Sequence, residues 1–339
     1  MYHISLGLAL RLDGPGASPV FLLNVHKRIY SGRDVPEMEE NGFMNKIGMH
    51  SGYWRELCPN ATAYDLVDLT VKTGCEVVEF GPAYLLNMTT EERKEFKKYY
   101  EDAGLELSIN GGFKYYNDIA HDNADIRRVG IEWAKRVLQA MYEVGSDRWS
   151  GINYSQWLRR PEVPVCTPEF KNHVRDLSLD SMREIIKTAE DCGVNYCFEI
   201  VNRFEQFIMN TSAEGVAFCE DLGSPNAKLL LDTFHMAIEE DYIPDAITYA
   251  QSKGRLGHLH TGESNRRLPG FDGKSNMNWD AIMGAVKESG YTEFITMEPF
   301  MKMGNTEICC WRDLSHGADL EQMIANAAAG ANFLRSKLA

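Results

Sequence analysis

Residues 178–201 read SLDSMREIIKTAEDCGVNYCFEIV, and their order sets the grammar of the chain. Leu179, Met182, Ile185, Ile186 and Ala189 recur at three- and four-residue spacing, the apolar stripe of an amphipathic helix. Gly193 follows as a helix stop, and NYCFEIV (195–201) then has the aromatic and β-branched content of a strand. Near the end of that apolar run stands one acidic residue, Glu199.

The unit recurs on both sides. Strand-like runs stand at 46–54 (KIGMHSGYW), 75–81 (CEVVEFG), 105–111 (LELSING) and 148–154 (RWSGINY). After 195–201 they continue at 227–233 (AKLLLDT), 255–261 (RLGHLHT) and 293–299 (EFITMEP). Helical periodicity fills the intervals, as in TTEERKEFKKYYEDAG (89–104) and ADIRRVGIEWAKRVLQAMYEVG (124–145). Gly104, Gly145, Gly193 and Gly290 sit where helices should stop, and Thr89 and Thr90 precede acidic residues as an N-cap does. Eight such alternations over about 290 residues imply an α/β fold, a (β/α)8 TIM barrel spanning 44–339. An open doubly wound sheet would announce itself by a glycine-rich phosphate turn after its first strand, and GMHSGYW is not one.

Residues 1–43 stand apart. Their one apolar run, ISLGLAL, ends at Arg11 without a clear basic start or cleavage site, so it does not read as a signal peptide. RLDGPGASPV reads as loop and SGRDVPEMEENGF as polar linker. The expectation is an N-terminal extension outside the barrel, with Met44 as the natural start.

Composition narrows the partners. Lysine and arginine total 35 against 49 acidic residues, a net charge of −14, which argues against a nucleic-acid binder. No apolar run reaches the roughly 20 residues that span a bilayer, so no membrane partner is expected. The eight cysteines lack Cys-x-x-Cys or zinc-finger spacing, although Cys309 and Cys310 are adjacent. They read as small buried thiols of a cytoplasmic protein.

In a barrel of this kind, chemistry collects where strands run into the loops that follow them. Glu199, Asp232, His258 with His260, and Glu298 occupy those places on four consecutive strands, and alternation puts the two histidines on one face. From Glu199 through Asp232 and His260 to Glu298 the intervals are 33, 28 and 38 residues, each about one strand–helix unit. Any one of them alone would read as a cap, an ion-pair partner or a core histidine. Three carboxylates meeting in one low-dielectric mouth, however, repel one another unless a cation or proton intervenes. Oxygen donors with one imidazole suit Mn²⁺, Co²⁺ or Mg²⁺ better than a structural zinc. Glu205, His235 and Arg266 open from the same mouth, six, three and six residues beyond their strands' polar groups.

FEIVNRFE, LDTFHM, HLHTGESNRRLPG and MEPF, in this order, resemble the ketose 3-epimerases of the D-tagatose 3-epimerase / D-allulose (D-psicose) 3-epimerase family, which belong to the xylose-isomerase-like barrels. The likeness runs from about Met44, with its opening MNKIGM, to the C-terminus. It implies one Mn²⁺ or Co²⁺ ion per subunit on Glu199, Asp232, His260 and Glu298, with Glu199 and Glu298 as the two catalytic bases. It also implies that His235 and Arg266 hold the O1–O3 end of a ketose, with Glu205 beside them, in a homodimer or homotetramer.

Those residue types match the chemistry. A ketose C3 hydrogen is acidic only when the C2 carbonyl is polarised, the task of a Lewis acid that also stabilises the enediolate. Inversion then needs a base on one face and an acid on the other. Fixing the chain keeps the intermediate from turning over or leaving.

Departures bear on the sugar. The family usually carries an aromatic residue after the first-strand GM, where this chain has His50. Tyr154, Trp157 and Phe300 are candidate sugar-facing aromatics. His258 is expected to support the barrel interior, and Glu263 and Arg267 to shape or solvate the loop that LPG turns. The rival reading is a related sugar or polyol enzyme, a hydroxypyruvate isomerase or inosose dehydratase. Acidic charge and a single metal cluster disfavour an apurinic endonuclease. A binding protein that has lost activity is disfavoured because every proposed base and ligand is present.

Overall fold

Eight parallel strands pair in chain order and close on themselves: β1 (Ile47–His50), β2 (Val77–Phe80), β3 (Glu106–Asn110), β4 (Arg148–Gly151), β5 (Asn195–Ile200), β6 (Ala227–Asp232), β7 (Leu256–Thr261) and β8 (Ile295–Met297). Pairing of β8 with β1, Gly48 opposite Thr296, completes the ring. This computed structural model describes residues 45–161, 166–300, 302–305 and 310–339. The expected extension at 1–43 and the start at Met44 lie outside the described residues.

The (β/α)8 expectation holds, and local signals explain most of the helices. Thr89 caps the helix Thr90–Asp102 by a capping box with Glu92, which satisfies two backbone donors at once. Gly145 and Gly193 end the helices Ala124–Val144 and Pro168–Cys192 in the left-handed conformation that glycine takes without strain. The second of these begins ten residues before the stretch that suggested it. Thr167 caps it and Pro168 opens it, while buried Ser178 and Ser181 interrupt its apolar face by bonding to the carbonyls of Tyr154 and Ile119. Beyond the barrel pattern, Lys302–Asn305 and Cys310–Asp313 form a two-stranded antiparallel pair after β8.

The six cysteines whose side chains are described are free thiols, of which Cys75, Cys197 and Cys219 are buried. No helix among the described residues is long and apolar enough to cross a membrane.

At the barrel mouth the loops after β3 and β4 touch backbone to backbone. A Cβ placed on Gly112 would stand 1.8 Å from the Ile152 carbonyl oxygen, so only glycine permits the approach. Gly112→Ala is therefore expected to cost at least about 1–3 kcal/mol, since the obstacle is backbone and cannot rotate aside. Thermal denaturation reads this directly, and an unchanged midpoint would contradict the contact.

Candidate active site and metal centre

The register brings the expected ligands together. Asp232 ends β6 and pairs with His260 of β7, while Glu199 lies on β5 and Glu298 follows β8 with its N–H bonded to the Thr261 carbonyl. All four side chains are buried, and each presents one ligand atom within 4.8 Å of the other three. Glu199 and Glu298 line a cavity of about 640 Å³ that opens at the C-terminal end of the strands.

Charge dominates this cavity floor. The Arg266 guanidinium enters the acidic group, with Nη1 donating to Asp232 Oδ2 at 2.5 Å and to Glu298 Oε2 at 2.7 Å. It lies over the rings of Phe234 and Phe300, 4.0 and 5.1 Å from their centroids. Arg266 adopts φ of 66°, a left-handed conformation rare for a non-glycine residue and typical of functional turns. Glu263 holds that turn by accepting bonds from Gly270 N, Ser275 Oγ and Trp279 Nε1, so it shapes the loop as expected. Arg267 stacks on Phe271 at 4.2 Å.

His235, on the short helix Thr233–Glu239, accepts at Nδ1 from the Asn202 N–H. Its Nε2 lies 3.0 Å from Arg266 Nη2 and 3.4 Å from Glu199 Oε1. Glu205 accepts from Trp157 Nε1 at 2.9 Å and from Asn202 Nδ2 at 3.1 Å, which ties the loops after β4 and β5 together. His50 closes β1 beside Glu298, its Nδ1 accepting from Gly52 N and lying 3.8 Å from Glu298 Oε1. His50, Trp157, Glu205, His235, Arg266 and Phe300 all face the cavity.

Two expectations divide here. Tyr154 is not sugar-facing: it is fully buried against Phe198 and Phe218. His258 does support the interior, with Nδ1 2.7 Å from Ser150 Oγ and Nε2 2.9 Å from Thr296 Oγ1.

One residue was missed. Glu79 of β2 is fully buried in the barrel, its Oε1 2.7 Å from His260 Nε2 and its Oε2 accepting from Ser108 Oγ. The signal was an acid in the apolar run CEVVEFG, the same signal that exposed Glu199.

Burial and neighbours separate the carboxylates. Burial, repulsion from Glu298 and the low dielectric raise Glu199, with the bond from His235 opposing. Burial acts to raise Glu298 too, but Arg266 and His260 hold it well below the ordinary range. For Glu79 the charges of His260 and His258 overcome burial and bring the carboxyl to about 2. Burial alone would lower His260, yet Glu79 and Glu298 hold it well above its usual value. Two carboxylates in one mouth thus differ in proton affinity, the condition for dividing acid and base roles.

The family model of the xylose isomerase-like TIM barrels matches residues 67–336. A D-psicose 3-epimerase of Agrobacterium fabrum is 34% identical over 293 residues, covering 86% of this chain and 98% of its own. The chain belongs to the ketose 3-epimerases. They are isomerases. An L-ribulose 3-epimerase of Mesorhizobium japonicum is 31% identical over 76% of this chain and 82% of that protein. The crystal structure of the D-psicose 3-epimerase of Clostridium cellulolyticum H10 with D-tagatose superposes at a TM-score of 0.79, with 34% identity over 86% of this chain and 99% of that one.

Proposed function

We propose that this ketose 3-epimerase inverts C3 of free ketoses of the D-fructose/D-allulose, D-tagatose/D-sorbose or L-ribulose type. Glu199, Asp232, His260 and Glu298 hold one divalent ion, Mn²⁺ or Co²⁺ with Mg²⁺ as a lesser fit. The observation that carries the reading is the buried convergence of those four side chains, two of which, Glu199 and Glu298, line the cavity. The donor set fits such an ion: three oxygens, and a buried His260 Nδ1 that no hydrogen bond satisfies. When bound, the ion would supply Lewis-acid polarisation of the C2 carbonyl.

The chain supplies the rest. One of Glu199 and Glu298 takes the C3 proton, leaving the electron pair in the C2–C3 enediolate. The other returns a proton to C3 from the opposite face, so the stereocentre inverts with no net redox change. His235 and Arg266 hold O1 to O3, Glu205 steadies them through Asn202, and His50, Trp157 and Phe300 wall the sugar. The enzyme acts in the cytoplasm as a homodimer or homotetramer.

The test is a ketose panel in D₂O with metal-stripped protein, before and after adding Mn²⁺ or Co²⁺. Turnover should require the metal and place deuterium at C3 with inversion. Label confined to C1, or a dehydration product, would move the assignment to a related isomerase or dehydratase.

A further inference from the structure

His260 offers two ring nitrogens, and only one of them can serve a metal. Nδ1 faces Glu298 Oε2 at 3.3 Å, on the side of the four-ligand group. Nε2 faces away from it, into the barrel, where Glu79 Oε1 lies at 2.7 Å. Neither nitrogen makes an aligned hydrogen bond, and Glu79 Oε1 is equally unsatisfied, so the carboxylate and the ring are the groups on hand to satisfy each other. Glu79 has no other evident task. It is fully buried, its second oxygen is held by Ser108 at 2.5 Å, and it lies below the cavity, out of substrate reach.

We infer that Glu79 is a positioning residue that fixes the tautomer of His260, keeping the proton on Nε2 and the lone pair of Nδ1 free for the ion. The inference rests on the metal site proposed above. Its physical basis is that an imidazole bound to a metal through one nitrogen needs an acceptor for the N–H on the other. A carboxylate is the strongest acceptor a side chain can offer, and it also raises the basicity of the ligating nitrogen. Ser108 completes the arrangement. By occupying Oε2 it turns Oε1 toward His260, so β3 aims a group on β2 at a ligand on β7.

Glu79 and His260 admit a second description, with His258. Glu79, His258 and His260 also present mutually close donor atoms. His258, however, is already engaged at both nitrogens by Ser150 and Thr296. That leaves two uncommitted donors, too few for a second ion, and the carboxylate serves the first site instead.

The experiment titrates metal-stripped wild type, Glu79→Gln and Ser150→Ala with Mn²⁺, counting free ion by its EPR signal. Glutamine removes the charge and presents an NH₂ group that competes to face Nε2. Glu79→Gln should bind about 10- to 100-fold more weakly. Ser150→Ala removes a polar partner from the same buried layer, leaves the Glu79–His260 contact intact, and should keep wild-type affinity. Equal weakening in both variants, equal affinity in wild type and Glu79→Gln, or a second tightly bound ion per chain would each overturn the inference. Should Glu79→Gln fail to fold, histidine ¹⁵N spectra of wild type loaded with Mg²⁺ decide the matter. A proton on His260 Nε2 supports the assignment and one on Nδ1 overturns it. Wild type that binds no Mn²⁺ at all would instead bring down the metal site, and the inference with it.

Discussion

Glu199→Gln and Glu298→Gln, assayed at saturating Mn²⁺, are each expected to lose at least about 10²–10⁴-fold in C3 epimerisation, the contribution of one positioned acid–base group. The loss should fall on kcat, because either glutamine keeps its side-chain volume and an oxygen donor. A two-base site makes a finer demand. Removing one carboxylate stops inversion, yet the survivor still faces one side of C3 and can exchange that hydrogen with solvent. In D₂O, each variant should therefore wash deuterium into one epimer of a pair without converting it to the other, and the two variants should choose opposite epimers. Their unlike surroundings, Glu298 clamped by Arg266 and Glu199 without that partner, keep the two substitutions from being equivalent structurally. Retained inversion in either variant would break the assignment of two bases.

The fold was legible because the barrel repeats one local rule eight times. Each strand is short and apolar, and glycines such as Gly145 and Gly193 mark the helix stops. Glu199, Asp232, His260 and Glu298 were legible for a related reason: a charge late in a buried strand needs a partner, and four on neighbouring strands share one mouth. Glu79 gives the same signal, but it pairs with His260 from across the barrel, and spacing along the chain carries no trace of that contact. Tyr154 failed in the opposite sense. A loop aromatic two residues from Trp157's neighbours looks sugar-facing until the tertiary packing folds it against Phe198. In each case the missing information was a contact between distant segments.

Arg266→Met should produce the second large effect, and its dependence on metal makes it informative. The guanidinium bridges Asp232 and Glu298, both buried. Methionine fills much of the same volume between Phe234 and Phe300 but leaves two adjacent carboxylates uncompensated. Breaking a buried pair in this way costs about 3–5 kcal/mol. For a domain of this size that corresponds to a melting midpoint lower by on the order of 10 °C. A divalent ion on the four ligands supplies positive charge to the same two carboxylates, so saturating Mn²⁺ should close most of the gap in stability. It should not restore catalysis, because the contact that Arg266 offers to the O1–O3 end of the ketose is still absent. Differential scanning calorimetry with and without Mn²⁺, set beside kcat/KM, separates the two roles. Equal midpoints for metal-free wild type and Arg266→Met would show that the arginine does not balance the acidic floor. Full activity in the metal-loaded variant would remove it from the substrate site. The two outcomes are independent, since one reads the stability of metal-stripped protein and the other reads the sugar.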